Sequence, residues 1–391
     1  MPASDELKTI LELLANSASE CYLVGGFIRD HFIGCSNAAD IDLAVTDDGF
    51  DIARSINRKW PEISSFAPLD PVNGCGRLIL RDEHGTIVDI SRLKCSNIEE
   101  NIMNRDFTIN AIAIRLADYL KNGLTHLIDP LDGSSDIGAR IVRACSTNAF
   151  TDDPLRILRA FRFAAQLDFK IETNTQNLLR KSVGGLDNIS GERIRDELRH
   201  ILTTCKAWET LERMDTAGII TRLFPGLSLT KGCEQNRYHS MDVWNHSLSS
   251  VRELERLLEC PEFVFGTSSS EVRKYTDSEI SSGRSRLWLI KLVCLFHDCG
   301  KPFTKNVGSD GAIHFYGHEK ISVQLFQDMT LRLKLSKRET ELASRLIGGH
   351  MRLSSLTTAA PSRRFLYRLS ERFGEDIIGL LLVFLADLKA S

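Results

Sequence analysis

Over its first third the chain alternates short apolar runs with stretches of helical spacing, and beyond that only helical spacing persists. Cys21-Tyr22-Leu23-Val24 is an unbroken apolar run, which predicts a buried strand; Gly25-Gly26 then makes a turn, and Phe27 to Ile33 starts a helix carrying Arg29 and Asp30. In Asp40-Ile41-Asp42-Leu43-Ala44-Val45 polar and apolar positions alternate, so a strand there puts Asp40 and Asp42 on one face. Thr86-Ile87-Val88-Asp89-Ile90 reads the same way, with Asp89 opposite Val88 and Ile90, and Arg140 to Ala144 is also strand-like. From about residue 146 to 235 the pattern is helical, with Pro154 to Phe169, Thr173 to Lys181 and Gly191 to Leu202 as the clearest segments and no convincing strand. In the first of these, Asp153 suits an N-cap and Pro154 the first helical position, while Ile157, Leu158, Phe161 and Ala165 form an apolar stripe. Further on, Leu287 to Phe296 and Ile377 to Leu388 are apolar helices, the latter too short to span a bilayer. The Ser/Thr/Glu-rich stretch Gly266 to Arg284 predicts an exposed or mobile loop.

These patterns predict an α+β protein in three parts: an α/β head over residues 1–145, a helical neck and body over 146–235, and a histidine-containing helical region over 236–391. The length of 391 residues agrees, since one ordinary core rarely organises so long a chain. A net charge of -3 gives no global attraction to nucleic acid, so any RNA contact must use a local basic surface. The ten cysteines form no Cys-x-x-Cys pair, and no basic segment leads into an apolar run at the N-terminus. A reduced cytoplasm is therefore the expected home, with no membrane and no obligate protein partner implied.

Two carboxylates side by side repel one another unless cations lie between them, and such a pair is how magnesium ions are held for phosphoryl transfer. The Gly25-Gly26 turn and the helix that follows offer backbone amides to a triphosphate. The order of strand, Gly-Gly, Arg29-Asp30 and Asp40-Ile41-Asp42 resembles the head of the polymerase-beta nucleotidyltransferase superfamily. Leu23 to Asp30 more narrowly resembles the first motif of the class II tRNA nucleotidyltransferase and bacterial poly(A) polymerase family. The resemblance implies a head with a small mixed sheet, triphosphate contacts at Gly25, Gly26 and Arg29, and Asp89 as a third carboxylate. Asp70, Gly74 and Arg77 match the family's flexible-loop pattern of an acid, a glycine and an arginine. Asn104-Arg105-Asp106-Phe107-Thr108-Ile109-Asn110-Ala111 is more specific; it implies that Arg105, Asp106 and Asn110 bind triphosphate and ribose, although Asn104 stands where the family has a first arginine. Thr151 to Ala165 resembles the nucleotide-selecting motif Glu-Asp-x-x-Arg, with Asp152 in place of Glu. That implies that Asp153 and Arg156 read the edge of the incoming base. Arg159 and Arg162 face RNA phosphates or are simply solvated. Gly191 to Leu198 resembles a supporting helix.

A second chemistry lies toward the C-terminus. His246, His297-Asp298, His318, His350 and Asp387 occur in an order that resembles the HD phosphohydrolase superfamily, in which imidazoles and carboxylates hold divalent metal and activate water. Imidazole-rich sites suit Mn2+, Ni2+ or a similar transition ion. Asp387 is close enough to the end for its helix to fray, or for a shortened chain to lack a tail beyond it.

Together the resemblances imply a template-independent enzyme that adds C and/or A residues from CTP and ATP to the tRNA 3′ end, with Mg2+ at Asp40 and Asp42 and an HD hydrolase as second activity. A bacterial poly(A) polymerase ranks second, because that branch resembles Gly-Arg-Arg-Phe where this chain has Gly76-Arg77-Leu78-Ile79. An HD-dominated phosphohydrolase with a nucleotide-binding head is a further alternative. A guanosine tetraphosphate synthetase and hydrolase would carry its HD module first, and a non-catalytic RNA-binding protein has no need of the Asp40 and Asp42 pair.

Overall fold

The computed structural model describes residues 5–35, 40–235, 241–357 and 361–391, with side chains left aside at 354–357. Its regular elements are mainly helices, with one larger sheet near the N-terminus. Six strands make that sheet: β1 (Cys21–Val24), β2 (Asp40–Val45), β3 (Ser64–Asp70), β4 (Cys75–Leu80), β5 (Ile87–Arg92) and β6 (Ala113–Arg115). Their order is β3-β4-β5-β2-β1-β6, and the sheet is mixed: β2 and β5 are parallel and every other neighbouring pair is antiparallel.

The alternation read along β2 is realised. Asp40 and Asp42 are exposed while Ile41, Leu43 and Val45 are buried. Past Asp42 the polar face turns apolar, because Ala44 joins Tyr22, Val24, Ile98, Ile102, Ala111 and Ala113 in one buried cluster. The carboxylates thus stand on a strand whose far end is anchored in a core. Helix Gly49–Lys59 is capped by Asp48, whose side chain accepts from the Asp51 amide, and it buries Ile52, Ala53 and Ile56.

The chain divides into two compact units, residues 1–156 with 167–179, and residues 157–166 with 180–391. The second holds the helices Gly191–Leu202, Val243–Glu259, Arg286–Phe296, His318–Leu333, Lys337–Gly349 and Ile377–Ala390. Helix Gly191–Leu202 has the predicted limits. The helix expected from Pro154 runs instead from Arg156 to Leu167. Asp153 binds the Leu155 amide through its side chain and the Arg156 amide through its carbonyl, and Asp168 ends the helix with a positive φ of 57°.

Two local expectations are corrected. The stretch Gly266 to Arg284 is not a loop: Ser269–Asp277 is a helix, because Val272, Tyr275 and Thr276 bury one of its faces, and Glu279–Ser281 pairs with Arg284–Ser285. The 146–235 region does contain a strand, β8 (Lys170–Ile171), which pairs in parallel with β7 (Ile141–Val142). The C-terminal helix extends to Ala390, past Asp387, with Leu380, Leu382, Val383 and Ala386 buried. No helix among the described residues is long and apolar enough to cross a membrane.

Candidate active site and metal centre

In the first unit the sheet register gathers the acidic residues. Asp42 on β2 is level with Asp89 on β5, and Asp89 is level with Arg77 on β4, so all three project from one face together with Asp40. Arg77 grips Asp89 with Nε at 2.7 Å and Nη2 at 2.8 Å, a contact sequence reasoning missed because it noted Arg77 only as part of a loop pattern. Gly25, with φ 77°, ends β1 and opens helix Gly26–Ile33; a Cβ there would lie 2.6 Å from Arg105 Nη1 and 3.1 Å from Asp42 Oδ2. Glycine is required both by the left-handed backbone and by this close approach of a guanidinium and a carboxylate.

Behind the turn, side chains from three segments are tied together. Arg29 donates through Nη1 to Asn110 Oδ1 at 2.7 Å and through Nε to Asp30 at 2.8 Å. Asn110 Nδ2 donates to Asp106 Oδ1 at 3.1 Å, an oxygen that also accepts the Phe107 amide at 2.8 Å. Arg105 Nη1 reaches the Asn110 carbonyl at 3.4 Å. Asp106 and Asn110 are buried, so this bonding fixes their rotamers. Asn104, the departure from the family pattern, turns its side chain back to the Glu100 carbonyl at 2.9 Å and Cys95 Sγ at 3.4 Å. Its carbonyl accepts Arg156 Nη2 at 3.0 Å, while Arg156 Nη1 reaches the Ala149 carbonyl at 3.4 Å.

In the second unit Arg159 and Arg162 both approach Glu197 Oε1, at 3.7 and 3.2 Å, and lie over the Phe163 ring. Helix Gly191–Leu202 therefore carries the buried acid that orders both arginines.

The histidine cluster is in the same unit and is nearly closed to solvent. His246 Nε2 lies 2.8 Å from Asp387 Oδ1 and 3.6 Å from Asp298 Oδ2, and His297 Nε2 lies 3.2 Å from Asp298 Oδ2 and 3.5 Å from Asp387 Oδ1. The other Asp298 oxygen faces His318 Nε2 at 3.1 Å and His350 Nε2 at 3.6 Å. Asp298 thus lies between two ligand groups, His246-His297-Asp298-Asp387 and Asp298-His318-His350, each with donor atoms within 4.8 Å of one another. Three rings are oriented by the backbone: Nδ1 of His297, His318 and His350 bonds the carbonyl three residues earlier, at Cys294, Phe315 and Ile347. That leaves Nε2 as the atom facing the carboxylates.

Burial disfavours an imidazolium, yet the Asp298 and Asp387 carboxylates outweigh it and raise His297 to about 10. Burial would likewise push both carboxyls up; His297 and Lys301 instead hold Asp298 well below its ordinary range, and hydrogen bonds from His246 and His297 lower Asp387. Lys301, whose part sequence reasoning did not recognise, is buried with Nζ 2.6 Å from Asp298 Oδ2 and 2.6 Å from Gln235 Oε1. The available signal was its spacing, three residues after Asp298. Gly300 allows this crowding, because a Cβ there would lie 2.3 Å from the His318 carbonyl. The donor set of buried imidazole nitrogens and carboxylates suits a divalent transition metal, whereas the exposed Asp40 and Asp42 oxygens suit a hard cation.

Comparison with known proteins matches three stretches of the chain. Residues 76–143 match the Poly A polymerase head domain, 168–230 the probable RNA and SrmB-binding site of polymerase A, and 238–389 the HD domain. The chain belongs to the tRNA nucleotidyltransferase and poly(A) polymerase family. Within that family it is 34% identical over 293 residues to a CC-adding tRNA nucleotidyltransferase of Geobacter sulfurreducens, covering 75% of this chain and 63% of the relative. It is 29% identical over 376 residues to an A-adding tRNA nucleotidyltransferase of Deinococcus radiodurans, covering 94% of this chain and 76% of that one. The Thermotoga maritima CCA-adding enzyme, solved with tRNA, shares the fold at a TM-score of 0.66 and 24% identity, over 98% of this chain and 79% of that one.

Proposed function

We propose that the chain is a template-independent tRNA nucleotidyltransferase that adds C and/or A residues from CTP and ATP to the tRNA 3′ end, with a metal-dependent phosphohydrolase in its HD region. The register that sets Asp40, Asp42 and Asp89 on one face, beside the Gly25 turn and Arg105, carries the reading. Relatives named for CC and for A addition support it.

Asp40 and Asp42 would hold Mg2+, which supplies activation of the tRNA 3′-hydroxyl and neutralises charge on the triphosphate. Arg105 and Arg29 bind phosphate at the Gly25-Gly26 turn, while Asp106 and Asn110, already fixed by their mutual bond, take the ribose. Asp153 and Arg156 offer an acceptor and a donor fork to the base edge. Arg156 must then exchange its bond to the Asn104 carbonyl for the base. In the second unit, Arg159 and Arg162 offer charge to RNA phosphates, with Glu197 holding their side chains in place. Pyrophosphate is the product released.

In the HD region, His246, His297, Asp298 and Asp387, with His318 and His350 across Asp298, would hold Mn2+, Ni2+ or a similar ion, which supplies an activated water. Substrates by family likeness are 2′,3′-cyclic phosphates and phosphomonoesters.

Incubation with tRNAs lacking CCA, CA or only the terminal A, each with CTP, ATP or both, tests the transferase. Incorporation is expected on at least one of the three. Addition of long A tracts to unrelated RNA, without CTP use, would instead identify a poly(A) polymerase.

A further inference from the structure

We propose that helix Arg363–Phe373 of the second unit is an RNA-backbone surface that grips phosphates of the tRNA. The inference rests on tRNA as the substrate, and it adds a contact outside residues 168–230, the stretch that matches an RNA-binding region. The limits of the helix are set locally: the Ser362 side chain accepts the Phe365 amide at 3.2 Å at its start, and Gly374, with φ 54°, ends it. Leu369 and Phe373 are its buried side chains, and the Phe373 ring lies so close to Gly349 that a Cβ there would meet it at 2.7 Å. Two apolar residues thus anchor the helix, and most of its remaining surface faces water.

That surface is basic. Arg363, Arg364, Arg368 and Arg372 are all exposed, and none of their side chains makes an ion pair or a hydrogen bond among the described residues. Arg372 does no more than lie over its neighbour Phe373, 5.8 Å from the ring centroid. Arg364, Arg368 and Arg372 follow one another at intervals of four, so they form a row along one flank with about 6 Å of rise between successive members. The row is costly to the helix itself. Like charges at that interval repel, and Arg363 and Arg364 put positive charge in the first turn, where the helix dipole is already positive and no acidic residue offsets it. A chain of net charge -3 that concentrates unpaired guanidinium groups on an eleven-residue helix, against the local preference of that helix, is complementary there to a polyanion. Tyr367, 65% exposed, lies one turn after Arg363 and Arg364, and Leu366 beside it is 44% exposed. An aromatic ring among arginines favours nucleic acid over an acidic protein surface, because it can stack on a base or pack on a ribose while the guanidinium groups hold the phosphates.

The test measures binding of labelled tRNA to the full chain, without nucleotide, over a series of salt concentrations. The triple variant Arg364→Gln, Arg368→Gln, Arg372→Gln keeps helix propensity and should weaken binding about tenfold at low salt, with the slope of log Kd against log salt smaller by about one for each arginine lost. Lysine at the same three positions should retain the slope, and Tyr367→Ala should weaken binding without changing it. In incorporation assays KM for tRNA should rise in the glutamine variant while KM for CTP stays as in wild type. Should the triple variant not fold, Arg368→Gln alone, with a slope change of about one, decides the question. Unchanged Kd and slope in a folded variant overturn the proposal and leave the helix to an acidic protein. Binding needs no turnover, so a chain that holds tRNA through these arginines but adds no nucleotide refutes the transferase and upholds the surface. Normal incorporation with an unaltered Kd in the variant does the reverse.

Discussion

Arg77 holds Asp89 by two parallel hydrogen bonds from the neighbouring strand, and Asp89 is level with Asp42 on the other side. The fork fixes the direction of a carboxylate beside the proposed metal ligands. Arg77→Lys keeps the charge but loses the two-point grip, so single-turnover nucleotide incorporation should slow about tenfold with little change in KM for CTP. A rate within about twofold of wild type would show that the fork does not bear on the reaction.

The two chemistries should separate by mutation. Asp42→Ala removes an exposed carboxylate, and should cut nucleotide addition by about a thousandfold while leaving the thermal melt in place. His297→Ala should abolish HD hydrolysis and spare addition. Assaying each variant for both reactions checks this, and loss of both from either variant would sink the two-site reading.

Arg156→Ala should relax the choice among nucleoside triphosphates by roughly 1 to 3 kcal/mol, the range for a lost bidentate base contact. Competition between the four triphosphates measures it. If preference holds while tRNA binding weakens, Arg156 is a phosphate contact.

Acid should weaken the second unit through His200. Burial is the main cause that lowers this imidazole to about 4, with the Arg199 charge adding to it, and Arg199 Nη2 approaches its Nε2 at 2.8 Å. A folded-state value below the unfolded one means that the unfolded chain takes up the proton first. The contribution of neutral His200 is therefore full above about pH 6.5 and is lost as pH falls toward about 4. His200→Gln should flatten urea midpoints across that window relative to wild type.

What the sequence revealed and what it hid follow from distance along the chain. The shared face of Asp40 and Asp42 is a period-two property and needs no partner strand. The Arg77 grip depends on pairing between strands that the local pattern does not specify. Helix Gly191–Leu202 was legible because its stripe is continuous. Helix Ser269–Asp277 was not, since its few buried positions are set among serines and charges that resemble a loop. The order of histidines indicated a metal centre, but the placement of Asp298 between two ligand groups, and of Lys301 against it, arises only when five distant segments meet. Asp387 looked vulnerable near the end of the chain; apolar residues on its helix hold it in place.

The carbonyls of Cys294, Phe315 and Ile347 that hold the three imidazoles belong to the main chain. Which nitrogen faces inward is thus settled by helix and turn geometry and not by the side chains at those three positions, of which Cys294 and Ile347 are packed in the core. The imidazoles of the candidate metal centre can therefore keep their orientation while the side chains around them change.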